Sequence, residues 1–373
     1  MESAEVVVVG GGVIGASTAF HLTELGITDV VLVERDQLAS GSTSKSAGGF
    51  RTQFADELNI RIALRSLAEL ERFEEMVAAV AGESPSIGLD RCGYLFLLDN
   101  EDDLRAFRAA VALQNGLGVP AVELDVGEVE RMVPQVDTSG LLGATFCELD
   151  GHVTPEAVVQ GYVAAAAARG VRIRQGCGVS GIATSAGRIT AVETTRGTIE
   201  TGTVVCAAGA WSPEVAAYIG VDLPIRPERR WTFFSADDAG FPPGLPLTID
   251  FSTSVYVCRE GTGIIVGGRE PTVEDYVPLA VRRFPALADC AIQSSWWGYY
   301  ELSPDNNAIV GEAGEVWRFL FATGFSGHGF QQAPAVGEHL AELVARLDPT
   351  LDLTPFALER FAGGGERREQ FVI

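Results

Sequence analysis

The sequence predicts an α/β protein in which a parallel-sheet domain is interleaved with a smaller domain built on an antiparallel β-sheet. A β-branched run over 5–9 breaks at a glycine turn and leads through a helical pattern to a second β-branched run over 30–33. The stretch 224–297 is rich in strand signals and shows little helical periodicity outside 273–284. Another buried-strand pattern, 319–324, runs into a glycine loop and a helix.

The first of these units spans about thirty residues and places one helix between two strands. That is the shortest arrangement able to make a parallel crossover. A Gly/Ser-rich loop over 39–49 follows, and an amphipathic pattern then predicts one long helix over 58–80. The later order of strands and helices indicates that the chain visits one domain three times and the other twice. We predict a first domain from residues 1–90, 145–222 and 298–373, and a smaller one from residues 91–144 and 223–297.

Composition excludes several classes of protein. The 373 residues are 47% hydrophobic and 21% charged, which is typical of a folded globular protein. A net charge of −23 disfavours nucleic acid as a partner. The six cysteines and four histidines form no sequence-local metal motif, so we expect no metal and reduced thiols. The acidic N-terminus and the lack of a long apolar stretch predict a cytoplasmic protein without a membrane span.

The glycine turn fits a dinucleotide-binding fingerprint. Gly10-Gly11-Gly12-Val13-Ile14-Gly15 matches G-x-G-x-x-G between a strand and a helix. Its glycines allow a tight turn, close approach of a diphosphate, and close packing of the helix on the sheet. Glu34, nineteen residues after Gly15, is placed to accept hydrogen bonds from ribose hydroxyls and would repel the 2′-phosphate of NADP. The sequence therefore predicts a Rossmann-like fold, and the fingerprint alone leaves FAD and NAD open.

Four further segments separate these two cofactors. They are the loop Gly41–Arg51, the D-G-H-V-T-P segment Asp150–Pro155, the strand and turn Val205–Ser212, and a region that runs from Ser303-Pro304-Asp305 to Gly324–Gln331. With the fingerprint, they make the chain resemble the D-amino-acid oxidase, glycine oxidase and sarcosine oxidase superfamily of FAD-dependent oxidoreductases. It looks closest to sarcosine oxidase β subunits and L-proline dehydrogenases. The resemblance covers nearly the whole chain and implies a Rossmann-like FAD-binding domain interleaved with a smaller β-sheet substrate domain.

The resemblance also implies which residues contact FAD. They are Gly10, Gly12, Val13, Ile14, Gly15, Glu34, Arg35, Ser42, Thr43, Lys45, Ser46, Ala47, Gly48, Gly49, Val179, Ala208, Gly209, Trp211, Gly324, Ser326, Gly327, His328, Gly329, Phe330 and Gln331. Backbone N–H groups of the last glycine run are expected to stabilise negative charge at flavin N1 and O2. His328 either adds to that stabilisation or is a spacer. His152 is expected to be a loop residue.

Two departures from the family bear on the chemistry. Gly298 stands where monomeric sarcosine oxidases have the cysteine that tethers FAD, so we expect the FAD to be non-covalent. Ile265 stands where those enzymes have an oxygen-activating lysine, and Lys45 is the only lysine of the chain. We therefore expect either slow reaction with O2 or another electron acceptor.

The substrate pocket needs a cation for a carboxylate and apolar walls. Arg51 stands at the carboxylate-binding arginine of the sarcosine oxidase branch, and its alternative is a surface arginine. Tyr300 replaces an arginine of the glycine oxidase branch and is a hydroxyl donor, a wall or a core residue. Gln331 replaces a lysine, and Arg269 either compensates or is a solvated residue at a strand end. The candidate walls, with core burial as the alternative, are Tyr256, Trp231, Trp296 and Trp297.

The predicted function is FAD-dependent oxidation of the C–N bond of a small amino acid or N-methyl amino acid to the imine, by hydride transfer to flavin N5. The catalytic candidates are Arg51, Tyr300 and His328, and no general base is evident. The partners are an amino acid or secondary amine and O2 or another acceptor. Two alternatives remain: an assembly protein that keeps FAD as a structural element, or the flavin subunit of a multi-subunit dehydrogenase with partner subunits.

Overall fold

The computed structural model describes residues 2–270 and 272–373. Its helices are α1 (Val13–Glu24), α2 (Glu57–Leu70), α3 (Phe73–Ala81), α4 (Glu101–Gly116), α5 (Val126–Met132), α6 (Pro155–Ala168), α7 (Ser212–Ala217), α8 (Val273–Arg283) and α9 (Gly329–Ala345). Its strands are β1 (Glu2–Ser3), β2 (Val6–Val9), β3 (Val30–Val33), β4 (Gly49–Phe50), β5 (Tyr94–Leu98), β6 (Val122–Leu124), β7 (Gly143–Cys147), β8 (Gly151–His152), β9 (Arg172–Arg174), β10 (Val179–Ser185), β11 (Arg188–Thr194), β12 (Gly197–Glu200), β13 (Val204–Cys206), β14 (Arg226–Ser235), β15 (Leu247–Asp250), β16 (Val255–Glu260), β17 (Gly263–Gly268), β18 (Ser294–Leu302), β19 (Ile309–Glu312) and β20 (Phe319–Thr323).

A six-stranded sheet carries the glycine fingerprint. Its strand order is β19-β20-β13-β2-β3-β9, and every neighbouring pair is parallel except β19 with β20. All residues of β2 and β3 are buried, as expected for strands covered on both faces. The next strand along the chain from β2 pairs on one side of it, and a much later strand, β13, pairs on the other. This reversal of strand order beside β2 creates a topological switch point at the carboxyl ends of the strands, where open α/β sheets bind ligands.

An eight-stranded sheet forms the second layer. Its strand order is β18-β14-β17-β16-β15-β5-β7-β6, and all pairs are antiparallel except β15 with β5. The longest pairing, β14 with β18, runs from Arg226 opposite Leu302 to Phe234 opposite Ser294. The expected domain boundaries at 144/145 and 297/298 fall inside β7 and β18. The two segments that build this sheet therefore run on to Cys147 and Leu302.

Helices pack closely on the six-stranded sheet. Gly337 of α9 lies against Ser17 of α1, where any Cβ would collide with the serine side chain. The single helix predicted over 58–80 is instead two, α2 and α3, because the backbone turns at Arg72. That turn directs Phe73 into the core, with its ring centroid 4.9 Å from that of Tyr162.

The described residues also form two smaller sheets. One has the order β1-β12-β11-β10, and the other pairs β4 with β8. None of the six cysteines is in a disulfide. Across residues 2–270 and 272–373, no helix has the length and apolar character needed to cross a membrane.

Candidate active site

A cavity of about 340 Å³ lies between the two large sheets. On one side it is lined by residues at the carboxyl ends of parallel strands, among them Val9 and Val33. On the other side it is lined by Arg230, Tyr256 and Tyr300 of the eight-stranded sheet. The interleaved path of the chain therefore places the glycine fingerprint and a polar, aromatic wall around one space.

The fingerprint end of the cavity presents backbone donors. The N–H of Val13 donates to Thr43 Oγ1 at 3.2 Å, whereas Gly12, the residue that precedes α1, has no side chain with which to cap the helix. Within the described part of the chain, the N–H groups of Gly12 and Ile14 have no acceptor. Uncapped N–H groups and the helix dipole favour an anion, so this end is suited to a diphosphate.

Glu34 is held beside the fingerprint by backbone donors. Its Oε2 accepts from the N–H of Gly11 and its Oε1 from that of Asp36, both at 2.7 Å. Each carboxylate oxygen accepts more than one hydrogen bond, so capacity remains for hydroxyl groups in the cavity. Beside it the Arg35 guanidinium lies 4.5 Å from the Trp211 ring centroid, which gives this end a flat surface.

The loop 41–51 is fixed to the eight-stranded sheet. Ser42 Oγ donates to the Tyr299 carbonyl at 2.8 Å, and Trp296 Nε1 donates to the Lys45 carbonyl at 3.1 Å. A Cβ at Gly298 would lie 2.7 Å from Lys45 Cβ. The glycine at this position therefore lets the only lysine approach β18.

A second helix N-terminus reaches the cavity. Helix α9 begins at Gly329, and no side chain caps it. Gly327 has φ +97°, and its missing Cβ leaves room for the Tyr300 ring, which lies against it. Backbone conformation and close packing thus both require glycine here.

Arg51 is buried in the cavity wall, so the alternative of a surface arginine is wrong. Its Nη1 donates to the Gln53 carbonyl and its Nη2 to the Phe371 carbonyl. Nη2 also lies 2.9 Å from His328 Nε2, and the guanidinium is 4.1 Å from the Phe54 ring centroid. Burial lowers the pKa of Arg51. Three of its five N–H donors are therefore committed to protein acceptors.

His328 is neutral in this environment. Burial, and then the charge of Arg51, hold the pKa of His328 well below its usual range. Because a guanidinium can only donate, Nε2 of His328 is the acceptor and Nδ1 carries the hydrogen. His328 therefore cannot bring positive charge to the cavity.

Arg230 is a cavity residue that the sequence did not reveal. Arg230 is on β14, opposite Gly298 of β18, and is 8% exposed. Its guanidinium is 4.9 Å from the Tyr300 ring centroid. Nη1 donates to Glu228, whereas the buried Nε has no hydrogen-bond partner in the part of the chain that the structure describes. Alternation along a strand predicts that one of the adjacent Arg229 and Arg230 faces inward, but does not say which.

Glu301 is a second such residue. It lines the cavity, and its carboxylate accepts from Thr323 Oγ1 at 3.1 Å. Burial raises the pKa of Glu301 to about 7. The signal available in the sequence was that Glu301 is the one acidic residue in the largely aromatic stretch 294–302.

Most residues predicted to contact cofactor or substrate do line the cavity. They are Gly10, Gly12, Val13, Ile14, Glu34, Arg35, Ser42, Thr43, Lys45, Ser46, Ala47, Gly49, Arg51, Val179, Ala208, Gly209, Trp211, Trp231, Tyr256, Tyr300, Gly327, His328, Gly329, Phe330 and Gln331. Segments far apart in sequence thus converge on one space. Among them Gln331 accepts from the N–H of Arg51 at 2.5 Å.

Four predicted cofactor residues lie outside the cavity wall, namely Gly15, Gly48, Gly324 and Ser326. Gly15 packs on the Gly10 carbonyl, and Gly48 on the Val153 carbonyl. The Ser326 hydroxyl accepts from the N–H of Ser303 at 3.2 Å. These residues shape the turns that carry the wall.

Three predicted substrate residues also lie outside it, namely Arg269, Trp296 and Trp297. Arg269 is exposed just beyond the end of β17, as expected for a solvated residue at a strand end. Trp296 is committed to the Lys45 carbonyl, and the Trp297 ring centroid lies 4.4 Å from the Arg229 guanidinium.

Comparison with known proteins gives consistent matches along the chain. The model of a family described as FAD dependent oxidoreductase (DAO) matches residues 5–343. FAD-dependent oxidoreductase domain-containing protein 1 of Bos taurus is 33% identical, over 100% of this chain and 87% of its own length. Mitochondrial sarcosine dehydrogenase of Mus musculus is 27% identical over 96% of this chain, which spans only 41% of that longer protein.

A solved structure matches equally well. The crystal structure of L-proline dehydrogenase from P. horikoshii superposes with a TM-score of 0.90 at 30% sequence identity. The match covers 98% of this chain and 100% of that one.

Proposed function

This chain belongs to the DAO family of FAD-dependent oxidoreductases, and from that premise we propose that it oxidises the C–N bond of a small amino acid or N-methyl amino acid to the imine. FAD, when bound, supplies the two-electron acceptor for the hydride that leaves the carbon next to nitrogen. The residues present fit this cofactor: the N–H groups of Gly12 and Ile14 at the start of α1 for the diphosphate, Glu34 for ribose, and the α9 N-terminus for a flavin edge. We propose that FAD binds without a covalent link.

The observation that carries the proposed substrate class is Arg230. Its buried guanidinium has an unpartnered Nε in the wall of the same cavity as the fingerprint. A carboxylate suits the planar donor fork of arginine, and a paired carboxylate would relieve the cost of the unpartnered donor. Tyr300 and Tyr256 line the wall beside it and offer aromatic surface to a small side chain. We therefore propose that Arg230 anchors the substrate carboxylate.

Arg51 then has a different role. Three of its donors already serve Gln53, Phe371 and His328. We propose that Arg51 positions the chain segments around the cavity and keeps His328 neutral. The positive charge of Arg51 disfavours a protonated amine nearby, and the neutral amine is the form that can lose hydride.

The names of similar proteins support this substrate class. They include a sarcosine dehydrogenase and an L-proline dehydrogenase, which act on small amino acids with a secondary amine. Sarcosine and L-proline are therefore the first substrates to test.

The test is anaerobic reduction of the purified flavoprotein. Sarcosine, L-proline, glycine and both enantiomers of alanine are each added, and loss of the oxidised flavin band is followed. Dimethylamine and pyrrolidine are matched controls, because they keep the amine of sarcosine and proline but lack the carboxylate. We expect at least one amino acid to bleach the flavin and its decarboxylated partner to do so far more slowly. Bleaching by dithionite but by no amino acid would contradict the proposal and favour FAD as a structural element.

A further inference from the structure

Three side chains with different metal-binding atoms meet away from the cavity wall. They are Asp90, Cys92 and His152, whose carboxylate oxygen, thiol sulfur and imidazole nitrogen all lie within 4.8 Å of one another. Asp90 Oδ2 is 3.5 Å from His152 Nε2. None of the three lines the cavity, so the proposed oxidation does not use them.

The backbone explains why these side chains meet. The N–H of Asp90 donates to the His152 carbonyl, and the N–H of His152 to the Asp90 carbonyl, both at 2.9 Å. Beyond this isolated antiparallel bridge, the N–H of Gly93 donates to the Asp150 carbonyl at 2.8 Å, one residue out of the register of the bridge. Residues two apart on a strand face the same side, and so do residues directly opposite. Asp90, Cys92 and His152 therefore project from one face.

Close packing also holds the two segments together. A Cβ at position 151 would collide with the Asp90 carbonyl oxygen, so Gly151 allows the two segments to approach closely. On its other side, β8 pairs with β4 through Gly49 and His152. The side chains of Asp90, Cys92 and His152 are therefore attached to a backbone whose conformation does not depend on a bound metal.

An independent sign of a ligand comes from His152. Its Nε2 is buried and has no hydrogen-bond partner among residues 2–270 and 272–373. The 3.5 Å separation from Asp90 Oδ2 lies beyond the usual hydrogen-bond range. It does match two atoms that bind the same ion, since ligand bonds of about 2.0 Å at tetrahedral angles place neighbouring ligand atoms about 3.3 Å apart.

We propose that Asp90, Cys92 and His152 form a binding site for a divalent transition metal of the zinc type, with solvent as the fourth ligand. Thiolate, imidazole and carboxylate are all zinc ligands, and the thiolate disfavours calcium and magnesium. The metal displaces the proton of the Cys92 thiol, which leaves to solvent, and forms a metal–sulfur bond without any change of oxidation state. Asp90 is exposed, so solvent reaches the site.

The position of the site indicates what the metal does. Asp90 and Cys92 precede β5, where the chain first enters the eight-stranded sheet, and His152 follows β7, where it leaves. A bound metal would link the segment before β5 to the segment after β7. The expected consequence is stabilisation of the folded protein by the metal.

The experiment uses the full flavoprotein after treatment with EDTA. Co²⁺ is titrated as a spectroscopic stand-in for zinc, because a thiolate ligand gives cobalt a charge-transfer band in the near ultraviolet, which is read against the flavin spectrum. Cys92→Ser tests the thiolate. Cys290→Ser is the matched control, since Cys290 is the other cysteine that is only half-buried. Thermal unfolding with and without Zn²⁺ is measured for the same proteins and for His152→Gln.

We expect one equivalent of Co²⁺ to produce the band, Zn²⁺ to remove it, and Zn²⁺ to raise Tm by several degrees. The band and the Tm shift should persist in Cys290→Ser, the band should vanish in Cys92→Ser, and the shift should be lost in His152→Gln. Absence of the band in the unmodified protein would overturn the proposal. Equal behaviour of the two cysteine variants would do the same. The melting curves without metal show whether each variant is folded.

Discussion

Nη2 of Arg51 lies 2.9 Å from Nε2 of His328, and this pair joins the segment after β4 to the N-terminus of α9. The same guanidinium donates to the carbonyl of Phe371. The ring of Phe371 stacks on that of Phe107, with the two centroids 3.8 Å apart. One buried cation therefore connects three parts of the chain. Without the guanidinium, two carbonyl oxygens and the imidazole nitrogen of His328 would lose their hydrogen-bond donor in the interior.

The first prediction concerns stability. Arg51→Met should lower the free energy of unfolding by about 3 kcal/mol, because buried acceptors lose a charged donor. Urea denaturation followed by circular dichroism measures the change. Arg61→Met is the control, because Arg61 is exposed and pairs with Glu57 one helical turn away, so its loss should cost less than about 0.5 kcal/mol. Equal stability of the two variants would show that Arg51 does not hold these segments together.

The second prediction separates carboxylate binding from that structural role. Arg230→Met should lower kcat/KM for the active amino acid about 100-fold, equivalent to about 3 kcal/mol, while FAD content stays unchanged. The loss should be much smaller for the decarboxylated amine. Steady-state kinetics measure both. Arg229→Met is the matched control, because Arg229 is the adjacent but exposed arginine, lying over Trp297. A comparable loss in Arg229→Met would remove Arg230 as the anchor.

Most residues that the sequence predicted to contact the cofactor line the cavity, and the reason is local. The turn at Gly10, the packing of Gly15 and the acid at Glu34 depend on backbone conformation and on contacts within one strand–helix–strand unit. Such requirements leave a pattern that can be read along the chain. The same holds for Gly327, whose positive φ and contact with Tyr300 both demand glycine.

The sequence did not indicate that Arg230 lies in the cavity wall, because its position depends on long-range strand pairing. Arg230 reaches the cavity only because β14 pairs with β18 in a register that places it opposite Gly298. A shift of one residue would have exposed Arg230 and buried Arg229. The cluster of Asp90, Cys92 and His152 has the same origin, since a β-bridge joins residues 62 positions apart, from 90 to 152. Neither arrangement leaves a motif in the sequence.

The third prediction concerns the fingerprint. A Cβ at Gly15 would collide with the Gly10 carbonyl oxygen, so Gly15→Ala should push the start of α1 away from the turn and reduce bound FAD severalfold. The ratio of flavin absorbance to protein absorbance measures occupancy. Gly202→Ala is the control, because a Cβ there meets nothing within 4 Å. Full occupancy in Gly15→Ala would show that this packing is not needed for cofactor binding.

The fourth prediction concerns the attachment of FAD. Cys177 is the only cysteine among the residues lining the cavity, and it lies beside Val179 and Glu34, at the end of the cavity that fits the ribose. No thiol of the wall therefore lies near the Tyr300 end. Guanidinium denaturation followed by ultrafiltration should release all flavin into the filtrate. Yellow colour retained with the unfolded polypeptide would contradict a non-covalent cofactor.

The fifth prediction follows from Glu301. Burial raises the pKa of Glu301 to about 7 from an ordinary value of 4.5. Between these two values the folded protein holds a proton that the unfolded chain has released. The contribution of Glu301 to stability is therefore fully present below pH 4.5, is lost as pH rises to about 7, and stays constant above that. The total change is on the order of 3 kcal/mol, at about 1.4 kcal/mol for each pKa unit.

Glu301→Gln removes this titration, because an amide stays neutral at every pH. The stability of the variant relative to the unmodified protein should therefore rise across the same window and then level off. Asp150, whose buried carboxyl has its pKa raised to about 6, titrates in both proteins and cancels from the difference. Urea denaturation at a series of pH values measures this difference, with Glu315→Gln as the control at an exposed glutamate. A flat difference for Glu301→Gln would mean that Glu301 is ionised in the folded protein at all these pH values.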